Sequence, residues 1–420
     1  MGRTSSALGI PPRMLTALAS LVLACSGAAP RQTPAATART QDTPTAAADT
    51  AELFVFPEAT LSPLPVQDAP SALAPFFAEC AAGDAALSRV AERVARRRAE
   101  GLAQLDVSEL GFALRAEGSP YMWPHTWTYD GTGTAALESM HGWLTSFSDG
   151  GERRCGVAQV STHGRTVLAA VAADVLADLD AVPVRARSGA WLSVSGRLLV
   201  AATEAKWIVL GPGGAPFAVP TSFDGQRVQA RFHADRPGAF LVQLLANVAG
   251  GPRPLLETTT YVDVRPPASF FGDAAPGEPT EPLSAQADAA TALLTMVNLA
   301  RQSEHSPPLV RHATLDAVAE KHAQAMRQKR RIAHDVGDGD PRSRVESTGL
   351  DILSTGENVA HALNVVRAHR ALWASPSHRE NLLEPRYDKI GIGVAPDPDG
   401  SLWVCEVFAD FPEPSAAPDH

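Results

Sequence analysis

Residues 372–383 read LWASPSHRENLL, and this stretch governs how the end of the chain folds. Apolar spacing predicts a helix that runs through Trp373 and ends before Pro376, because a residue that precedes proline is disfavoured in the helical region. Alternating apolar residues at 390–395 and 401–408, separated by a turn rich in proline, aspartate and glycine, predict an antiparallel hairpin. We therefore expect helices packed around a small antiparallel sheet, an α+β domain.

Several short motifs flank this stretch in a definite order. They are IAHD at 332–335, Arg344, Gly349, GENVA at 356–360 and IGIGV at 390–394. In order and approximate spacing the set resembles the CAP superfamily (the cysteine-rich secretory, antigen 5 and pathogenesis-related 1 group) in its bacterial, SCP-type form. The resemblance covers residues 285–412 and implies an αβα sandwich.

The resemblance also implies a site. In the family, two histidines and two glutamates converge on a cavity between the helices and the sheet. By motif, His334 and His378 are the histidines here, and Glu357 is one of the glutamates. The second glutamate is expected on the helix before His378, where residues 373–375 are Trp, Ala and Ser. The set of four is therefore incomplete.

Three interpretations of His334, Glu357 and His378 stay open. Two neutral imidazoles and a carboxylate could hold a divalent cation, such as zinc, calcium or magnesium, and leave a position for water. The same residues could be catalytic in a hydrolase, in which Ser375 or Ser377 would need to lie within hydrogen-bond reach of an imidazole. They could instead form a buried hydrogen-bonded network that fixes three loops.

Asn358, Arg344 and Ser375 are the further candidates for ligand binding. The amide of Asn358 could bond backbone groups of its loop, and Arg344 could pair with a carboxylate or bind an acidic group of a ligand. His322 lies on the apolar face of a predicted helix, a position more typical of a packed, hydrogen-bonded histidine than of a ligand.

The N-terminus has the pattern of a signal peptide. Arg3 and Arg13 precede an apolar run that is too short to span a membrane. The run closes with VLAC at 22–25, which resembles a bacterial lipobox and predicts a lipid anchor on Cys25, although an ordinary cleaved signal peptide is the alternative. Residues 1–25 are therefore predicted to be a lipoprotein signal peptide that ends at the acylated Cys25, and the protein is expected to be exported. It is expected in the cell envelope, at the outer membrane or cell surface, or as a secreted form.

Composition predicts the organisation of the next segments. Residues 26–74 are rich in Ala, Pro and Thr, which is typical of a disordered tether. Alternating strands with glycine turns at 183–265 predict an all-β sandwich whose pattern resembles immunoglobulin-like modules. Prolines and glycines at 266–284 predict a linker.

Residues 75–182 are similar to the C-terminal domain. The parallel segments are 86–95 with 314–323, 156–158 with 393–395, 171–174 with 407–410, and Trp143 with Trp373. They predict a degenerate CAP-like α+β domain that lacks counterparts of the histidines. Coincidence among alanine-rich segments is the alternative.

The four cysteines predict one disulfide. If Cys25 carries lipid, Cys80 and Cys155 can pair in an oxidising compartment, which leaves Cys405 alone. Cys405 lies in an alternating apolar stretch, so we expect a buried strand residue and not a nucleophile.

Charge and the resemblance together limit the function. The formal net charge of -10 disfavours nucleic acid as a partner, because such binding requires Lys and Arg to neutralise phosphates. The favoured hypothesis is an exported cell-envelope protein that binds a small lipidic or peptidic ligand, or a divalent ion, in the CAP cavity. A metal-assisted protease or esterase and an adhesion protein are the alternatives.

Overall fold

The computed structural model describes residues 53–80, 82–148, 150–162, 164–249, 251–270, 274–279 and 288–412. The predicted signal peptide, Cys25 and the first half of the predicted tether lie outside this part of the chain. Within the described residues, no helix is both long enough and apolar enough to cross a membrane.

The first part of the structure is a four-stranded sheet with helices on both faces. Its elements are β1 (Ala59–Thr60), α1 (Ala74–Ala78), β2 (Ala82–Gly83), α2 (Ala85–Glu100), α3 (Val107–Ala116), β3 (His125–Asp130), α4 (Thr134–Leu144), β4 (Glu152–Thr162) and β5 (Arg165–Val175). The strand order is β2-β4-β5-β3. Helix α2 begins at Asp84, whose carboxylate accepts from the amides of Ala86 and Leu87, and it ends at the left-handed Gly101.

The predicted disordered tether is wrong for its described residues, 53–74. Strand β1 pairs with Val182–Pro183. The ring of Phe56 is buried and contacts the edges of Phe112 and Tyr261. This segment is therefore ordered, because its aromatic residues bury apolar area that a tether would leave in water.

Residues 177–262 form two sheets that enclose one core. The strands are β6 (Ala177–Leu179), β7 (Val182–Pro183), β8 (Arg185–Ala186), β9 (Ala190–Leu198), β10 (Glu204–Leu210), β11 (Phe217–Val219), β12 (Thr221–Phe223), β13 (Arg227–Ala234), β14 (Gly238–Val248) and β15 (Gly251–Val262). One sheet has the order β11-β10-β14-β15-β8 and the other β12-β13-β9-β6. The indole of Trp207 is fully buried and donates to the carbonyl of Val228 in the facing sheet.

The boundary predicted between 182 and 183 does not separate two cores. Leu87 and Val90 of α2 belong to the same buried cluster as Trp207 and Phe240 of the two-sheet part. The first 200 or so described residues thus pack as one body around a continuous apolar interior.

The C-terminal part has helices on both faces of a second four-stranded sheet. Its elements are α5 (Ala289–Ser303), β16 (Val310–Arg311), α6 (Ala313–Lys329), α7 (Pro341–Glu346), β17 (Ser354–Ala362), α8 (Val365–Ala374), α9 (Pro376–Leu383), β18 (Lys389–Pro396) and β19 (Leu402–Asp410). The strand order is β16-β18-β19-β17. A methyl group at Gly391 would lie 2.1 Å from the backbone of Leu315, so the glycines of the IGIGV motif let α6 approach the sheet. The expected α+β fold of this region is confirmed.

The described part of the predicted linker, 266–270 and 274–279, is packed and is not an extended spacer. The amide of Phe54 donates to the carbonyl of Ala268 at 2.7 Å. Further along, Glu278 forms an ion pair with Arg370 of α8 at 2.6 Å. The segment therefore contacts both folded parts that it connects.

The two four-stranded sheets share one topology. In each, a short strand pairs in parallel with the first strand of a hairpin, whose second strand pairs antiparallel with the fourth strand. Gly156 pairs with Val171, and Gly391 pairs with Val407. Helix α2 lies directly on Gly156, and helix α6 lies directly on Gly391. The register matches Gly156 with Gly391, so the predicted match with Gly393 is two residues off.

The matched register also locates the counterpart of Glu357 in the first sheet. Glu357 pairs with Val407, and Thr126 pairs with Val171. The first sheet therefore has a threonine where the second has the candidate carboxylate. The common topology supports the hypothesis that residues 75–182 are a degenerate copy of the C-terminal domain.

Candidate functional site

Glu357 is the centre of a buried polar cluster in the C-terminal part. Strand β17 directs its side chain to the α6 face of the sheet, where the thiol of Cys405 lies 3.4 Å from Oε2. Arg344 donates to the same Oε2, and also to the carbonyls of Gly339 and, at 2.8 Å, His334. His334 Nδ1 lies 2.8 Å from Glu357 Oε1. The structure thus brings His334, Glu357 and Arg344 together.

Glu357 is an ionised carboxylate. Burial alone would raise its pKa, but the hydrogen bond from His334 and the positive charges of His334, Arg344 and His322 outweigh burial and hold the pKa below its usual range. Because an ionised carboxylate only accepts hydrogen bonds, His334 must donate from Nδ1. Nε2 is then the nitrogen of His334 that remains for another partner.

His322 and Asp338 extend this cluster. His322 is fully buried, with Nδ1 2.8 Å from Asp338 Oδ2, Nε2 3.0 Å from the carbonyl of Ala333 and Glu357 3.7 Å away. Both ring nitrogens of His322 therefore face oxygen acceptors. Its apolar helix face indicated the burial of His322, but no pattern in the sequence indicated its partner Asp338.

His378 lies beside this cluster on α9, and its side chain is only 8% exposed. Within the described residues, the buried Nδ1 atom has no hydrogen-bond partner. Burial and, secondarily, the nearby charge of His334 lower the pKa of His378 to about 3, so the ring is neutral at physiological pH. His334 and His378 line one small cavity of about 30 Å³.

The predicted metal set of His334, Glu357 and His378 is not assembled. Among the residues that the structure describes, no group of three or more His, Cys, Asp or Glu side chains lies close enough to hold a metal ion. Both oxygens of Glu357 instead accept hydrogen bonds, from His334 and Arg344. Two imidazoles alone fall short of the three or four protein ligands of a typical zinc site.

A second buried carboxyl, Glu406, lies on the opposite face of the sheet. Asn358 Nδ2 lies 3.3 Å from Glu406 Oε2 and 3.1 Å from the carbonyl of His378, and Asn358 Oδ1 accepts from Asn381 at 3.0 Å. Each of these three hydrogen bonds therefore joins Asn358 to another group of the protein. An acidic residue inside the apolar stretch LWVCEVF was the sequence signal for Glu406.

Neither of the two predicted serines, Ser375 and Ser377, pairs with a histidine in the described part of the chain. Ser375 Oγ accepts from Gln243 at 3.4 Å, and the buried Ser377 Oγ has no hydrogen-bond partner. A serine needs a base within reach to act as a nucleophile. Ser375 instead marks the end of α8 and the start of α9.

The structure joins Cys80 and Cys155 in a disulfide, with their Cα atoms 5.9 Å apart. Cys405 is a free, buried thiol. Burial and the negative charge of Glu357 raise its pKa well above the usual value, so the reactive thiolate is disfavoured.

The family resemblance is confirmed by comparison with known proteins. Residues 294–407 match the model of CAP, the cysteine-rich secretory protein family. The uncharacterized protein YkwD of Bacillus subtilis (strain 168) is 29% identical over 114 residues, which is 27% of this chain and 44% of that protein. The chain therefore spans less than half the length of this curated relative.

Two solved structures are also similar to this chain, at low overall similarity. An outer surface protein from Borrelia burgdorferi is 24% identical, with a TM-score of 0.28 over 29% of this chain and 92% of that chain. An extracellular protein containing a SCP domain from Bacillus anthracis is 17% identical, with a TM-score of 0.27 over 56% of this chain and 86% of that chain.

Proposed function

We propose, from the CAP domain at residues 294–407, that this is an exported cell-envelope protein whose CAP cavity binds a ligand through His334 and His378. One observation carries the proposal. The neutral His378 ring has a buried Nδ1 atom without a partner among the described residues, and it lines a cavity beside a histidine that Glu357 orients. A buried polar atom without a partner costs about 1–3 kcal/mol, which a bound group can recover.

Binding is favoured over hydrolysis because, in the described part of the chain, the two candidate nucleophiles, Ser375 and Ser377, have no histidine or carboxylate base within hydrogen-bond reach. Glu357 is held by Arg344, and Ser375 is held by Gln243. The hydrolase alternative predicts turnover of ester or peptide substrates that is lost in Glu357→Ala. The same alternative predicts loss of turnover in chelator.

The proposal also includes the cellular location of the protein. The N-terminal pattern supports export and a lipid anchor on Cys25, and the two-sheet part would act as a spacer or adhesive module similar to immunoglobulin-like domains. Metabolic labelling with an alkyne fatty acid tests the anchor. We expect label on the wild type and none on Cys25→Ser, and an unlabelled wild type would contradict the anchor.

Ligand-dependent melting of the full-length protein tests binding, since a ligand that binds only the folded state raises its stability. The panel contains short carboxylic acids and alcohols, a fatty acid, dipeptides, and zinc, calcium and magnesium salts. We expect at least one compound to raise the Tm of the wild type and to leave the Tm of the double variant His334→Ala/His378→Ala unchanged. His305→Ala, a surface histidine on the turn after α5, is the control.

Two results would contradict the proposal. One is a panel without any binder, together with a large loss of stability in the double variant, which would make the histidines purely structural. The other is a Tm increase that is equal in the wild type and the double variant.

A further inference from the structure

The cavity beside His378 is lined in part by residues from outside the CAP domain. Apart from His334, His378, residues 331–333 and Val359, its lining consists of Trp123, Ala249, Pro252, Arg253 and Pro254. We name these last five residues the outer wall. Trp123 belongs to the loop before β3, Ala249 directly follows β14, and Pro252, Arg253 and Pro254 lie near the start of β15.

The outer wall is in direct contact with the site. A methyl group at Gly251, the first residue of β15, would lie 3.7 Å from the Cβ atom of His334. The indole of Trp123 donates to the carbonyl of Pro254 at 3.3 Å, which joins the two segments of the wall. Trp123 has a φ of 57°, and a bulky residue keeps this left-handed conformation only where its surroundings impose it.

The strands below the outer wall also hold the helix that carries His378. Gln243 of β14 accepts from the amide of Ser377 at 3.1 Å, and Lys206 of β10 pairs with Glu380 at 3.2 Å. The N-cap residue of α9, Ser375, makes no capping bond of its own. Gln243 therefore supplies the cap that a helix start needs, so the wall and His378 are positioned together.

We propose that the outer wall determines which ligands the His334–His378 cavity accepts, an inference that rests on the proposed function. The cavity of about 30 Å³ has room for one or two groups the size of a water molecule. Small-molecule pockets usually measure about 300–1,000 Å³. With the wall in this position, the small volume excludes acyl chains and peptides and admits single small polar groups.

Two readouts on the full-length protein test the wall. The first is the rate at which diethylpyrocarbonate modifies His378, measured by peptide mass spectrometry relative to the exposed His141. The second is binding of a dansylated fatty acid, measured by fluorescence. Trp123→Ala opens the wall, Trp123→Phe retains a ring there, and Trp191→Ala removes an exposed indole away from the cavity.

We expect His378 to react at least tenfold faster in Trp123→Ala than in the wild type, Trp123→Phe or Trp191→Ala. We also expect the fatty acid to bind only the opened protein. Pro252→Gly is the second opening variant, because Pro252 lines the cavity and is itself exposed. Should Trp123→Ala fail to melt cooperatively, Pro252→Gly carries the test.

The proposal is overturned if wild-type His378 reacts as fast as His141, if neither opening variant accelerates the reaction, or if the wild type binds the fatty acid as tightly as the opened protein. Faster modification of His378 in a variant that binds no compound of the melting panel supports the wall and contradicts the proposed function. The two failures are therefore distinguishable.

Discussion

Glu406 illustrates how a single buried residue can set the pH dependence of the fold. Its carboxyl is fully buried, Oε2 lies 3.3 Å from Asn358 Nδ2, and Oε1 has no partner among the described residues. Burial raises the pKa of Glu406 to about 7, so the folded state prefers the protonated acid. This stability is fully present below the unfolded pKa near 4.5 and is lost as the pH rises through about 7.

Glu406→Gln should remove this pH dependence, because the amide does not titrate. From pH 4.5 to 8, we expect the free energy of unfolding of the wild type to fall by about 3 kcal/mol relative to the variant, at about 1.4 kcal/mol per unit of pKa shift. Urea unfolding at several pH values measures the difference. Glu346→Gln, an exposed control on α7, should keep the wild-type profile, and an unchanged profile in Glu406→Gln would refute the assignment.

The pair of Arg344 and Glu357 gives a pH dependence of stability that is opposite in sign to that of Glu406. The pKa of Glu357 is lowered, so its contribution is present above the unfolded pKa and is lost as the pH falls. Arg344→Met leaves an ionised carboxylate buried without its guanidinium, which should cost about 3–5 kcal/mol at pH 7. Arg342→Met, on the same helix but in an exposed pair with Glu346, should cost less than about 0.5 kcal/mol.

A double variant completes that test by urea unfolding. Arg344→Met/Glu357→Gln should recover part of the lost stability, because it removes the unpaired charge. Additive losses would show that the two side chains stabilise the fold independently and would refute the coupling.

At the scale of elements, the disulfide joins Cys80, which follows the C-terminal cap of α1, to Cys155 of strand β4. Cys80 and Cys155 are 75 residues apart in sequence, and a loop of that length corresponds to about 4 kcal/mol in the chain-entropy account. We expect Cys80→Ala/Cys155→Ala to lower the free energy of unfolding by about this amount. Reductant should lower the wild type to the level of the variant and leave the variant unchanged, and equal stabilities without reductant would contradict the prediction.

At the scale of the whole molecule, Gln243 couples the two-sheet part to the CAP domain. Its side chain is fully buried and bonds Glu257 at 3.0 Å as well as the amide of Ser377 at 3.1 Å. Gln243→Met preserves the approximate volume and removes these two bonds together with the one to Ser375 Oγ, which should cost about 1–3 kcal/mol.

Hydrogen exchange separates this coupling from a general loss of stability. We expect the amides of Ser377 and His378 to exchange faster in Gln243→Met, out of proportion to the amides of β19. Gln229→Met, exposed on β13, is the control and should leave these rates unchanged. Uniform acceleration of all CAP amides would mean that Gln243 stabilises the fold without capping α9.

The sequence by itself determined the CAP fold of the C-terminal part and the short-range features of its site. Proline after Ser375 ends a helix through local sterics, and glycines in IGIGV permit close helix packing through the absence of a side chain. The aromatic residues of 53–56 and the acid inside LWVCEVF also left local signals, although the tether prediction overlooked the first of them.

Only the tertiary structure decided what the polar residues contact. Glu357 turns to Arg344 and His334, Asn358 supports His378, and Gln243 caps a helix more than a hundred residues away. The outer wall on the CAP cavity likewise comes from parts of the chain with no local link to His378. Periodicity and turn chemistry report the conformation of neighbouring residues, whereas the partners of a buried charge depend on which distant segments pack beside it.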